Sequence, residues 1–80
     1  MTESTTDVRL MLERIAKTLV DTPDEVVVEL FDDGVIELEV AENDVGKVIG
    51  RQGRTARALR SLLGAAGHRA HKRYQLEIIE

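Results

Sequence analysis

The stretch Val45-Gly46-Lys47-Val48-Ile49-Gly50-Arg51-Gln52-Gly53-Arg54 decides how the chain is read. Gly50 and Gly53 interrupt what would otherwise be one continuous helical pattern. Before them, Val45, Val48 and Ile49 share one side of a short helix over 42–49. After them, a longer helix is predicted from Arg54 to about Ala66, with Ala58, Leu59, Leu62, Leu63 and Ala66 on its buried face. Arg54, Arg57 and Arg60 fall on the opposite face. A glycine-bounded loop lets a ligand come close to the backbone, because no Cβ holds it off. The helix that follows aims its free N–H groups and the positive end of its dipole at the same place, which suits a phosphate. Lys47, Arg51 and Arg54 add full charges, and Gln52 adds neutral donors. The spacing fits neither the nucleotide P-loop nor the dinucleotide fingerprint.

Working outward, residues 7–20 repeat apolar groups at Val8, Met11, Leu12, Ile15, Leu19 and Val20, the spacing of an amphipathic helix. Ser4, Thr5 and Thr6 offer capping oxygens, and Asp7 suits the helix start. Pro23 ends the helix near Asp21. Residues 25–31 and 35–41 alternate as strands, joined at Asp32-Asp33-Gly34 by a tight-turn signal. Val26, Val28 and Leu30, and then Ile36, Leu38 and Val40, form the inward sets. Residues 73–79 give a third strand with Tyr74, Leu76 and Ile78 inward. The order helix-strand-strand-helix-helix-strand fits a single α+β domain, with a three-stranded sheet covered on one face by three helices. Residues 1–6 are expected to be a flexible N-terminus and residues 7–80 the domain. Val27, Phe31, Val35 and Ile79 are left on the far face of the sheet. Self-association is expected there or on the third helix, where Ala56 and Leu63 lie at the margin of the buried stripe.

Charge is divided along the chain. Residues 1–44 hold three basic and thirteen acidic groups, a net of −10, whereas residues 45–80 hold eight basic and two acidic groups, a net of +6. From Lys47 to Arg73 no acid interrupts the cations. Such segregation points to a surface built for an anion while the rest keeps the protein soluble. With 42% apolar and 32% charged residues the composition is that of a soluble globular protein. The absence of cysteine excludes disulfides, Cys-based zinc sites and thiol nucleophiles. No apolar run approaches a membrane span, and the polar, acidic start argues against a signal peptide. A cytoplasmic protein without a cofactor is expected. His68 and His71 lack a nearby carboxylate that would complete a metal site, and Ser61 lacks a nearby acid for a catalytic triad. The expectation is therefore a binding module and not an enzyme.

The motif Val48-Ile49-Gly50-Arg51-Gln52-Gly53 resembles the signature loop of KH domains, and the element order that of their type II form. The stretches Leu19-Val20-Asp21-Thr22-Pro23-Asp24 and Asp44 to Ala56, with the chain length, are similar to the small bacterial KhpA (YlqC) family. That resemblance implies a single-stranded RNA-binding protein in which the loop clamps the backbone of about four nucleotides while bases lie in an apolar groove. Carried over by position, Gly50, Arg51, Gln52 and Gly53 would hold the phosphates, and the charges of Lys47, Arg54 and Arg57 beside the loop make these the further expected RNA contacts. Ile36, Leu38, Val48 and Ile49 would form the groove. It further implies a homodimer, a larger KH-containing partner of the KhpB (Jag or EloR) type, and an RNA-chaperone role in post-transcriptional control and cell shape. Two rival readings stand beside it: single-stranded DNA binding, and a protein-interaction module that keeps the scaffold without using the loop. Lys47 could instead pair with Asp44 three residues earlier.

Overall fold

A computed structural model describes residues 7–80. The expected flexible N-terminus and the capping role of Ser4–Thr6 lie outside the described residues. Asp7 itself caps the first helix, its carboxylate accepting from the Leu10 N–H at 3.0 Å. Helix α1 (Val8–Leu19) buries Val8, Leu12 and Ala16 and ends before Pro23. Pro23–Glu25 form a 3₁₀ turn, which shortens the first strand, β1, to Val27–Leu30. The pyrrolidine ring fixes φ where a turn needs it, and Val26 caps the turn before pairing begins. Strand β2 (Val35–Glu39), helix α2 (Val45–Ile49), helix α3 (Arg54–Ala70) and strand β3 (Gln75–Ile79) follow.

The sheet order is β1-β2-β3, with β1 and β2 antiparallel and β2 and β3 parallel. The helices pack on one face. The core joins Val8, Leu12 and Ala16 to Val26, Val28, Ile36, Leu38, Val48, Leu59, Leu63 and Leu76. The inward set of β2 is as its alternation requires. Leu30, expected inward, is exposed instead. It is the last residue of an edge strand and lines a surface cleft with Phe31, Lys72 and Arg73.

Helix α3 departs most from the sequence reading. It continues through Gly64 and Gly67 to Ala70 and stops at His71, whose φ of 58° breaks the helical path. Gly67 lets the returning chain approach, since a Cβ there would press on the Lys72 carbonyl and the Tyr74 ring. The buried stripe is accordingly Ala56, Leu59, Leu63 and Gly67. Ala58 and Leu62, expected inside, face out.

The open face of the sheet carries the expected exposed apolar residues together with a row of acids. Val27 and Ile79 are exposed there, but the register places Glu29, Glu37 and Glu77 in one row across all three strands. Opposed like charges cost stability and repel a second copy of the same face. Self-association through this face is therefore disfavoured, and its apolar residues lie at the margins of an acidic surface.

Candidate nucleic-acid interface

Helix α2 ends at Ile49, and the backbone turns sharply at Gly50, where φ is 79° and ψ is 168°. This region is essentially restricted to glycine. A Cβ at Gly50 would also collide with the Thr55 side chain. Arg51–Gly53 then make one 3₁₀ turn in which Gln52 itself takes left-handed geometry, with φ 58° and ψ 24°. Gly53, at φ 76° and ψ 13°, leads into α3, and no side chain caps that helix. The Gly53 and Arg54 N–H groups donate to the Gly50 and Arg51 carbonyls, and the other first-turn N–H groups of α3 face the loop.

Three arginines surround the tip. Arg57 Nη1 donates to the Gln52 carbonyl at 3.0 Å, and Arg54 Nη2 donates to Gln52 Oε1 at 3.3 Å. Arg51 projects beside them, and Arg51, Gln52, Arg54 and Arg57 are all exposed. The hydrogen bonds hold two guanidinium groups against the loop without neutralising them, because amide oxygens carry no net charge. The structure therefore brings together six of the seven expected contact residues: Gly50, Arg51, Gln52, Gly53, Arg54 and Arg57.

Lys47 is the exception. Its ammonium lies 3.2 Å from Asp21 and 3.6 Å from Asp44. Asp21 above all, with help from Asp44, holds the lysine pKa above its ordinary value. Burial alone would push the Asp44 carboxyl up. The backbone N–H groups of Thr22 and Asp21 and the Lys47 ammonium more than offset that, and its pKa lies below the usual value. The Thr22 N–H donates to Asp44 Oδ2 at 3.0 Å. Lys47 is thus part of a clasp joining the start of α2 to the end of α1. The local pairing with Asp44 that the spacing allowed is formed, and the more distant Asp21 completes it.

The expected groove needs a larger correction. Ile36, Leu38 and Val48 have 0% exposure and belong to the core, so none can touch a base. They occupy inner-face positions of β2 and the buried side of α2, and the helical layer covers them. Of the four, only Ile49 reaches the surface. There it lines an open depression of about 260 Å³ with Gly53, Ala56, Arg57, Arg60, Ile78 and the acidic Glu80. Arg60 is exposed, as its place on the solvent face of α3 requires. It bends towards the sheet edge, with Nη2 donating to the Leu76 carbonyl at 3.4 Å. Ile78, read as a core residue, is only half-buried. Its position near the end of the edge strand was the one available sign that it lies beyond full helical cover.

The electrostatic layout favours this end of the molecule. On α1, Glu13 bridges Arg9 and Lys17 at 2.9 Å each, so two of the three cations of the acidic half are paired. The sheet's open face carries the row of glutamates described above. An approaching polyanion is repelled from that face and meets the arginines of the loop and α3.

The chain is similar to known proteins over most of its length. A family model described as the KH domain of KhpA/KhpB matches residues 9–78. The chain is 51% identical over 75 residues to the RNA-binding protein KhpA of Halalkalibacterium halodurans, covering 90% of this chain and 99% of that relative. It is 49% identical over 73 residues to the RNA-binding protein KhpA of Borreliella burgdorferi, covering 88% and 89% respectively. With the Streptomyces coelicolor protein of the same name it shares 52% identity over 61 residues, covering 72% and 77%. No solved structure gives a significant match.

Proposed function

The chain belongs to the KhpA/KhpB KH-domain family, and on that premise we propose that it is a single-stranded RNA-binding protein whose Gly50–Gly53 loop holds the phosphate backbone. The observation that carries this reading is the loop itself: both glycines in place, no acid, an uncapped α3 N-terminus and three exposed arginines at the tip. Bases would rest in the depression bounded by Ile49, Ala56 and Ile78. A protein that had kept the scaffold only for protein contacts would have no use for this concentration of charge.

The test is a titration of short single-stranded RNA against salt. Neutralising three or four phosphates gives a log–log slope of roughly −2 to −3. Affinity without salt dependence would contradict the reading. Equal affinity for DNA of the same sequence would leave the loop's role intact and remove the preference for RNA.

A grip on about four nucleotides is weak alone, so linked copies would raise the avidity. We assign homodimerisation to the outer side of α3, where Ala58, Leu62 and Ala65 recur at helical spacing and Leu62 is 48% exposed. Leu62→Glu should convert a dimer to a monomer in light scattering. A wild-type monomer at high micromolar concentration would refute the assignment. The family model spans KhpA and KhpB alike, which supports a KhpB-type KH partner as a second means of adding binding sites. In this reading the protein is a cytoplasmic RNA chaperone acting in post-transcriptional control, with cell shape and envelope growth downstream. No helix among the described residues is long and apolar enough to cross a membrane.

A further inference from the structure

The loop accounts for Arg51, Arg54 and Arg57, and Lys47 and Arg60 have partners within the fold. Arg69, Lys72 and Arg73 remain. They lie at the opposite end of α3, and among the described residues none of them forms an ion pair. Beside them is a cleft of about 920 Å³, whose walls include His68, His71, Lys72, Arg73 and Tyr74, with Asp33 as the one acid in its lining. The Asp33 carboxylate accepts the Val35 N–H at 3.1 Å, and so serves its own turn.

Basic residues at a helix C-terminus commonly serve only to complement the dipole. That accounts for His68 and Arg69 but not for Lys72 and Arg73, which stand beyond the helix on the returning chain. The cleft has a definite origin in the fold. His71 turns the chain with a positive φ, and Gly67 allows Lys72 and Tyr74 to close against the helix. On the helical spacing, Arg57, Ser61, Gly64 and His68 follow one another along a single flank of α3. No acid lies on helix α3 itself, so a strand leaving the loop can follow that flank to the cleft; the nearest carboxylates are Glu80 beside Arg57 and the turn residues Asp32 and Asp33 beside Lys72 and Arg73. Helix α3 has 17 residues, so that path is roughly 25 Å long.

We propose that the cleft between the end of α3 and the β1–β2 turn is a second phosphate-binding site, which takes the backbone of an RNA strand already held at the Gly50–Gly53 loop; the proposal rests on the RNA-binding reading above. Lys72 and Arg73 supply the charge, the two imidazoles supply N–H donors, and Tyr74 offers the cleft's aromatic surface to a base. The protein would then contact one strand at both ends of α3, and its footprint would exceed the roughly four nucleotides of a single loop.

The experiment compares oligouridylates of four and twelve nucleotides on wild type, on Lys72→Glu/Arg73→Glu, on Lys72→Gln/Arg73→Gln, and on Arg51→Asp/Gln52→Asp. The tetramer is too short to reach the cleft. Both cleft variants should bind it as wild type does, with unchanged melting, yet lose about tenfold in affinity for the dodecamer. The extra binding registers of the longer strand benefit wild type and variants equally, so they cancel in that comparison. For wild type the salt slope should be steeper for the dodecamer than for the tetramer by about 1.4, the amount for two further phosphates, and the cleft variants should lose this increment. Dodecamer affinity and slope unchanged in both cleft variants would overturn the proposal, and would leave the cations to a protein partner. Equal loss of tetramer and dodecamer binding would overturn it too, since the cleft would then not be a separate site. If instead the loop variant retains full RNA affinity, the RNA-binding reading itself fails, whichever way the cleft variants behave.

Discussion

Replacing Arg51 and Gln52 together by Asp should lower RNA affinity at least tenfold and leave thermal melting nearly unchanged. Both side chains are exposed at the loop tip, and exposed substitutions usually shift stability by no more than about 0.5 kcal/mol. The backbone favours the test. Gln52 lies in the left-handed region, which Asp tolerates better than most residues. For the RNA the change is severe. One cation is lost and two carboxylates stand where the phosphate backbone must approach, each repelling a nearby phosphate by about 1 kcal/mol even in water. The carboxylate at position 52 would also lie beside the guanidinium groups of Arg54 and Arg57, which now donate to Gln52, and would draw them into ion pairs. Together these effects exceed the roughly 1.4 kcal/mol that corresponds to tenfold. Unchanged affinity with unchanged melting would place the site elsewhere and give the lead to the interaction-module reading.

The second large effect separates the two loop glycines. Gly50→Ala should lower the melting temperature by roughly 10–20 °C, and Gly53→Ala by a smaller amount, within roughly 4–16 °C. Gly50 combines a glycine-only backbone conformation with direct pressure of any Cβ on Thr55. Gly53 occupies ordinary left-handed geometry, which costs another residue roughly 1–2 kcal/mol, and a Cβ there would meet only Arg57 Nη1 at a comfortable 3.5 Å. Gly50 is thus the structural hinge between α2 and α3, whereas Gly53 leaves room for the backbone of a ligand. Differential scanning calorimetry of the two variants decides the matter, and equal melting temperatures would contradict this division of roles.

How much of this was legible in the sequence depends on the range of the interaction. The alternation of β2, the glycine interruption and the period of α1 are local patterns, and each gave the right element. Arg51, Gln52 and Arg54 were legible as candidate contacts because a cationic glycine loop before a helix suits a phosphate. Lys47 was ambiguous because its first partner, Asp44, is three residues away but its second, Asp21, comes from another helix. The rotation of α3 was hidden because its apolar arc is broad. The structure buries Ala56 and exposes Ala58 and Leu62, and the close approach of Lys72 and Tyr74 at Gly67 that goes with this rotation is a tertiary contact without a local signal. The groove was misplaced for a related reason. Ile36, Leu38 and Val48 are apolar residues near the loop, and nothing local tells that the helical layer covers them completely. The glutamate row was likewise invisible until the register aligned Glu29, Glu37 and Glu77.

The central claim is that RNA rests on the Gly50–Gly53 loop, and amide chemical-shift mapping with a short single-stranded RNA tests it most directly. The largest shifts should fall on Gly50 to Arg57, with smaller ones at Ile49 and Ile78 along the depression, while Glu29, Glu37 and Glu77 stay unmoved. Shifts centred on the open face of the sheet, with the loop amides unmoved, would contradict it.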